Sequence, residues 1–255
     1  MTRMLRSLLL ATCLLAPALS HADGLADLKA ALAKLSSAPQ SPIKAQLSVK
    51  TQQRHGEGSD ATMDQGAISI GVEDDAQGLR TQLSAELLAK LRAEGVASEQ
   101  DANAPTPAGL ALQQLGVRDV RALTAAADTL NRVLARATFK QEAATTLNGQ
   151  PARLLTFDLG AGPLRERDKK YVKKIEGSLQ VWVAADGMPL EARSQLKISG
   201  RAMVVISFET TQSDRLVFAR VGDRLIAATR EQVQSSSGGG EKGETTTTYA
   251  LQVQR

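Results

Sequence analysis

The residues best equipped for chemistry sit together at His55-Gly56-Glu57, with Asp60 and Asp64 close behind. An imidazole and carboxylates of this kind act as a general base, or ligate a cation, when they converge. Their spacing matches no helix-borne metal motif, and Gly56, Gly58 and Ser59 between them read as a polar hairpin loop. His55 is therefore expected to be a solvated loop histidine. No GxSxG nucleophile elbow occurs. Gly160-Ala161-Gly162-Pro163 lacks a third glycine and a following helix, so it reads as a turn and not as a nucleotide loop. These residues predict a protein that is not an enzyme, with no catalytic residue, no metal site and no cofactor. A hydrolase built on Glu57, Asp60 and Asp64 would need all three carboxylates to converge in one cleft.

The sharpest charged feature is Arg165-Glu166-Arg167-Asp168-Lys169-Lys170-Tyr171-Val172-Lys173-Lys174, with six basic and two acidic residues. Arg165, Arg167, Lys169, Lys170, Lys173 and Lys174 form a basic surface patch suited to anionic headgroups or an acidic envelope partner. The same lysines would also protect a sheet edge from pairing with other chains, and both readings stay open. Overall the chain carries 31 basic and 27 acidic residues, a net +4 at pH 7. So small an excess gives no general attraction for nucleic acid.

The N-terminus carries an address. Arg3 and Arg6 precede an apolar run from Leu8 to Ala16, and Ser20-His21-Ala22 offers a small-x-small cleavage site before Asp23. This layout reads as a secretory signal peptide over residues 1–22, too short for a stop-transfer helix. Its removal takes away Cys13, the single cysteine, and His21, one of two histidines. The processed chain is expected in the periplasm, with full secretion as the alternative, and without a transmembrane span. It has no disulfide to rely on and must hold its fold by packing.

The elements that position these residues follow from apolar periodicity. Leu25, Leu28, Leu32 and Leu35 predict a short helix stopped by Ser36-Ser37-Ala38-Pro39. Ala45, Leu47 and Val49 alternate as a strand, and a polar loop from Gly56 to Gln65 leads to Ile68, Ile70 and Val72. Gly78 to Leu83 supplies a third strand. A helical insert follows over residues 84–137. Ser84 caps a helix with Leu87, Leu88 and Leu91 on one face and Gly95 near its end. After a loop from Glu99, Thr106-Pro107 starts a helix that Gly116 breaks. Val120, Leu123, Ala127, Leu130 and Leu134 then predict one longer helix, with Asp119 near its start and Arg132 and Arg136 near its end.

From residue 138 to 255 the period is two, which predicts an antiparallel meander. Its apolar sets are Leu155, Phe157 and Leu159; Leu179, Val181 and Val183; Leu196 and Ile198, up to a break at Gly200; Val204, Ile206 and Phe208; Leu216 and Phe218; and Tyr249, Leu251 and Val253. Asp186-Gly187 and Gly222-Asp223 mark turns, and Ser235 to Gly243 reads as a glycine-rich connection. All seven aromatic residues follow residue 138, which places the main core in the C-terminal half. Trp182 falls on the polar face of its strand and is expected to be covered by a helix or a neighbouring strand. Each strand has one apolar face, so the expected fold is a single α+β domain over residues 23–255. Its antiparallel sheet is strongly curved, barrel-like but unclosed, and covered by the N-terminal helix and the helical insert.

This order of elements resembles the LolA/LolB-like superfamily of periplasmic lipoprotein carriers, which includes RseB-like domains. The segment Leu179 to Pro189, ending in Ala184-Ala185-Asp186-Gly187-Met188-Pro189, looks like the late strand and turn of such proteins. The resemblance implies an unclosed β-barrel with helices as a lid over an apolar cavity for acyl chains. The one-sided sheet and the leucine-rich helices suggest a cavity lined by Leu87, Leu91, Leu130, Leu134, Phe157, Val181 and Phe208. The expected partners are a lipid or lipoprotein and a protein of the envelope. The alternative is a structural or interaction module of the envelope whose core is filled.

Overall fold

Alternating apolar residues emerge as ten strands in the computed structural model, which describes residues 23–37, 41–160, 170–202 and 206–254. The first three are β1 (Ile43–His55), β2 (Thr62–Asp75) and β3 (Gly78–Gln82). The other seven are β4 (Thr138–Leu147), β5 (Gln150–Asp158), β6 (Val172–Val183), β7 (Pro189–Ala202), β8 (Ile206–Val221), β9 (Arg224–Gly238) and β10 (Glu241–Val253). They form one antiparallel sheet in the order β3-β2-β1-β10-β9-β8-β7-β6-β5-β4. The sheet is open, and β3 and β4 are its edges. Every pairing joins strands adjacent in sequence except β1 with β10, where Leu47 faces Leu251 and Val49 faces Tyr249.

Among the described residues five α-helices accompany the sheet: α1 (Gly24–Ser37), α2 (Ala85–Gln100), α3 (Pro107–Gln113), α4 (Val117–Thr124) and α5 (Ala126–Leu134). The last four fill the sequence between the two edge strands. Asp23 starts α1 by accepting the Leu25 and Ala26 amides at 3.0 and 3.2 Å. Ser84 caps α2 as the sequence predicts, its hydroxyl accepting from the Leu87 amide at 3.1 Å. The α+β class and the antiparallel sheet are as read from the sequence. The leader over residues 1–22 lies outside the described residues, as do Arg165, Arg167 and Lys169 of the basic run.

Several local readings are corrected. Gly95 does not end α2, which continues to Gln100, and Leu88 is exposed while Leu87 is buried. Thr106 makes no side-chain cap on α3. The Glu94 carboxylate of α2 does this instead, accepting the Ala108 and Gly109 amides at 3.0 and 2.9 Å. The single helix expected over Val120–Leu134 is two, because Ala125 leaves the helical region at φ −126°. This break frees the Thr124 carbonyl, which accepts from Arg224 Nη1 at 3.3 Å. Strand β7 runs through Gly200, where the backbone approaches so closely that a Cβ would overlap the Tyr171 carbonyl and lie 2.6 Å from the Phe208 ring. The stretch Ser235–Gly238 is paired strand and only Gly239-Gly240 turns. Strand β4 does not follow the one-face rule, since nearly all of its residues are exposed at the sheet edge.

The core is also distributed differently from what the aromatics suggest. Only Phe157, Trp182 and Tyr249 among them are buried, whereas Leu28, Leu32, Leu47, Ile70, Val72 and Leu123 of the aromatic-free half are fully buried. One contiguous apolar cluster joins α1 and α3–α5 to β1, β2, β5–β7, β9 and β10. Aliphatic side chains on both layers interlock here, so aromatic content did not locate the core.

Candidate functional site

Strand β9 fixes helix α4 at both ends through two buried arginines. Near the start of α4, Arg230 Nη1 donates to Asp119 Oδ1 at 2.7 Å, while Nε and Nη2 donate to the Asp214 carboxylate at 2.7 and 2.6 Å. At the far end, Arg224 Nη1 donates to Asp74 at 2.6 Å and to the Thr124 carbonyl. Burial weakens the charge on Arg230, but Asp214 and Asp119 outweigh it and hold the guanidinium firmly protonated. Arg230 also lies over the Tyr249 ring, 5.5 Å from its centroid. Burial first, and Asp119 after it, pushes the Tyr249 phenol up to about 12. Its hydroxyl stays neutral and donates to the Gln114 carbonyl at 2.6 Å, which fixes the end of α3.

Beside this clamp, α4 and α5 leave a cavity of about 130 Å³ against the sheet. Ala122, Ala126, Leu130 and Val133 form its helical wall, and Leu179, Ala192, Leu216 and Phe218 its strand wall. Asp214 and Arg230 of the clamp, with Ser194, add a polar part to the lining. Thr129 and Val133 are shared with a more open hollow of about 320 Å³, which Arg132, Arg136 and Leu159 complete.

Of the residues predicted to line a cavity, Leu130 lines this one. Phe157 and Val181 are packed in the core, and Leu134 is half-buried against it. Leu87 and Leu91 belong to α2, which packs on α3. Phe208 is far away, packed on Gly200 and Gly238. Eight residues separate it from Leu216 on the same strand, which is roughly 26 Å of extended chain. Phe208 therefore lies well along β8 from Leu216 and outside the lining of this cavity.

The basic run gives three described members. Lys170 lies 4.8 Å from the Tyr171 ring centroid, Lys174 pairs with Glu176 at 2.8 Å, and Lys173 is exposed. His55 ends β1 and is exposed. Glu57 pairs with Lys242, and among the described residues no group of three ligand-type side chains is placed to hold a metal.

Two larger hollows are lined mostly by polar residues, and ion pairs take up part of the charge at each. One of about 610 Å³ lies by Glu57, Lys242, Ser236 and Glu209. Here Lys242 pairs with Glu57, and Lys197 with Glu209. The other, about 420 Å³, lies by Arg193 and Arg215 on the face opposite the helices. Trp182 is buried on that face, covered by Arg193 at 4.7 Å from its ring. Glu191, 1% exposed, binds Arg193 and Arg215 together. Burial pushes its carboxyl up, but Arg215 and Arg193 outweigh this and hold it below the usual carboxylate range.

The sequence reading missed the whole Arg230 clamp. Its signal was present, since Asp214 is in phase with the apolar Leu216 on β8, and a charge at an inward position needs a partner. No protein-family model, no curated protein and no solved structure matches the chain.

Proposed function

We propose that the protein is exported to the periplasm, and that it holds an acyl chain or similar slender apolar ligand between α5 and the sheet. The observation that carries this reading is the apolar-walled space between α4, α5 and the sheet, with the hollow at Leu159 beside it sharing Thr129 and Val133 as walls. Ligand sites are characteristically such apolar-walled spaces with a few polar groups at one end. In this reading the sheet curves around its helices, which act as a lid, as in LolA/LolB-like carriers. Support comes from the topology, in which α2–α5 connect the two free edges of one open sheet. Among the described residues no helix is long and apolar enough to cross a membrane. The signal-like sequence of residues 1–22 supports export.

One observation favours the second reading, an envelope interaction module with a filled core. The cavity, at about 130 Å³, is below the roughly 300–1,000 Å³ of ordinary ligand sites. Native mass spectrometry and lipid extraction of protein purified from the envelope separate the two. A stoichiometric acyl ligand is the expected result. A clean apo mass, no extractable lipid and no uptake of added fatty acid would leave the filled-core module standing. Cell fractionation tests the location, and recovery in the cytoplasm would overturn export.

A further inference from the structure

We propose that the ligand taken beside α5 is an anionic single-chain amphiphile, bound tail-inward with its headgroup at Arg132 and Arg136. This rests on the acyl-chain reading above and adds the ligand's charge, chain number and orientation. Thr129, Arg132, Val133 and Arg136 recur at three- and four-residue spacing, which makes one stripe along α5 and the turn that ends it. With Leu159 they wall the hollow of about 320 Å³. Val133 and Leu159 give it an apolar floor, and the two exposed arginines give it a cationic rim. Arg132 Nη2 donates to Thr129 Oγ1 at 3.1 Å, so one edge of that guanidinium is held in place. Among the described residues neither arginine has a carboxylate partner. An arginine fork left without an anion suits a carboxylate or phosphate headgroup.

The inner end has the opposite charge. There Asp214 and Arg230 line the cavity and Arg230 also pairs with Asp119, so two carboxylates share one cation. An anionic headgroup is repelled from that end and attracted to the rim, which sets the orientation. The cavity's volume sets the chain number. About 130 Å³ is roughly four water volumes, which admits the end of one chain and not of two.

The test uses the delipidated full chain, titrated calorimetrically at pH 8 and low salt with dodecanoate, 1-dodecanol and dodecyltrimethylammonium. Two exposed arginine contacts predict that dodecanoate binds about tenfold tighter than the alcohol. That preference should shrink at about 0.5 M salt, where exposed charges are screened. The double variant Arg132→Gln, Arg136→Gln should lose the preference and keep the alcohol's affinity. Both positions are exposed, and an unchanged melting curve shows that the variant is folded. Equal affinity for all three probes, or tighter binding of the cation, overturns the headgroup assignment and leaves the acyl-chain reading intact. Binding of none of them overturns the acyl-chain reading and this proposal with it.

Discussion

Replacing Arg230 by methionine tests how α4 is held on the sheet. The guanidinium is 9% exposed and its two partners, Asp214 and Asp119, are 15% and 26% exposed. Arg230→Met keeps most of the side-chain volume but leaves both carboxylates without their shared cation. Removing one partner of a buried pair costs about 3–5 kcal/mol, because a buried charge is left uncompensated. The partial exposure of Asp119 and Asp214 puts the expectation at the lower end, about 3 kcal/mol. For a chain of this length each kcal/mol lowers the melting temperature by about 2–4 °C, so a fall of about 6–12 °C is expected. Differential scanning calorimetry measures this, and hydrogen exchange should show the α4 amides opening first. The companion variant Arg230→Met, Asp214→Leu, Asp119→Ala removes the stranded charges as well and should recover most of the loss. If Arg230→Met melts within about 2 °C of the parent, or the triple variant is less stable than the single one, the clamp does not hold α4.

Three further outcomes follow from the same structure. Glu191 has a carboxyl held below its unfolded value of 4.5 by Arg215 and Arg193, against the opposing effect of burial. Its contribution is therefore complete above pH 4.5 and lost as pH falls through the lower folded value; stability measured by urea unfolding should fall more steeply with acid for the parent than for Glu191→Gln. Tyr249 behaves in the opposite sense, its phenol raised from 10.0 to about 12, so its contribution is lost as pH rises from 10 towards 12. Relative to Tyr249→Phe, the parent should lose about 2–3 kcal/mol across that alkaline window; parallel curves for the two proteins would sink the claim. Gly66→Ala places a Cβ on the Pro107 carbonyl and 3.1 Å from the Ala111 amide, so α3 must shift off β2. A loss of about 1–3 kcal/mol is expected in chemical unfolding, and an unchanged midpoint would show that the contact is loose.

What was legible in the sequence is the part set by local rules. Ser84 caps α2, Asp186-Gly187 and Gly222-Asp223 turn hairpins, and the alternation in Leu179–Val183 places a strand. Each depends on neighbours within a few residues, and such preferences act wherever the chain lies. The same alternation put Trp182 on the polar face and foresaw its burial, though not that Arg193 would cover it.

Residues whose role depends on distant partners were not legible in this way. Glu94 reads as one more charge on an exposed helix until the fold sets it under the α3 amides. Gly200 reads as a breaker until the Tyr171 carbonyl and the Phe208 ring close in on it. Phe208 and Leu216 share the alternation of β8, but only the pairing of β8 with β7 and β9 decides that Phe208 lies against Gly200 and Gly238. The sequence by itself determined an antiparallel sheet of mostly one-faced strands, because alternation and turn chemistry are local. Only the tertiary structure decided that Asp119, Asp214 and Arg230 meet, across as many as 111 residues of chain. The reason is physical: an ion pair is stable in the interior only where the fold removes water and supplies both charges together.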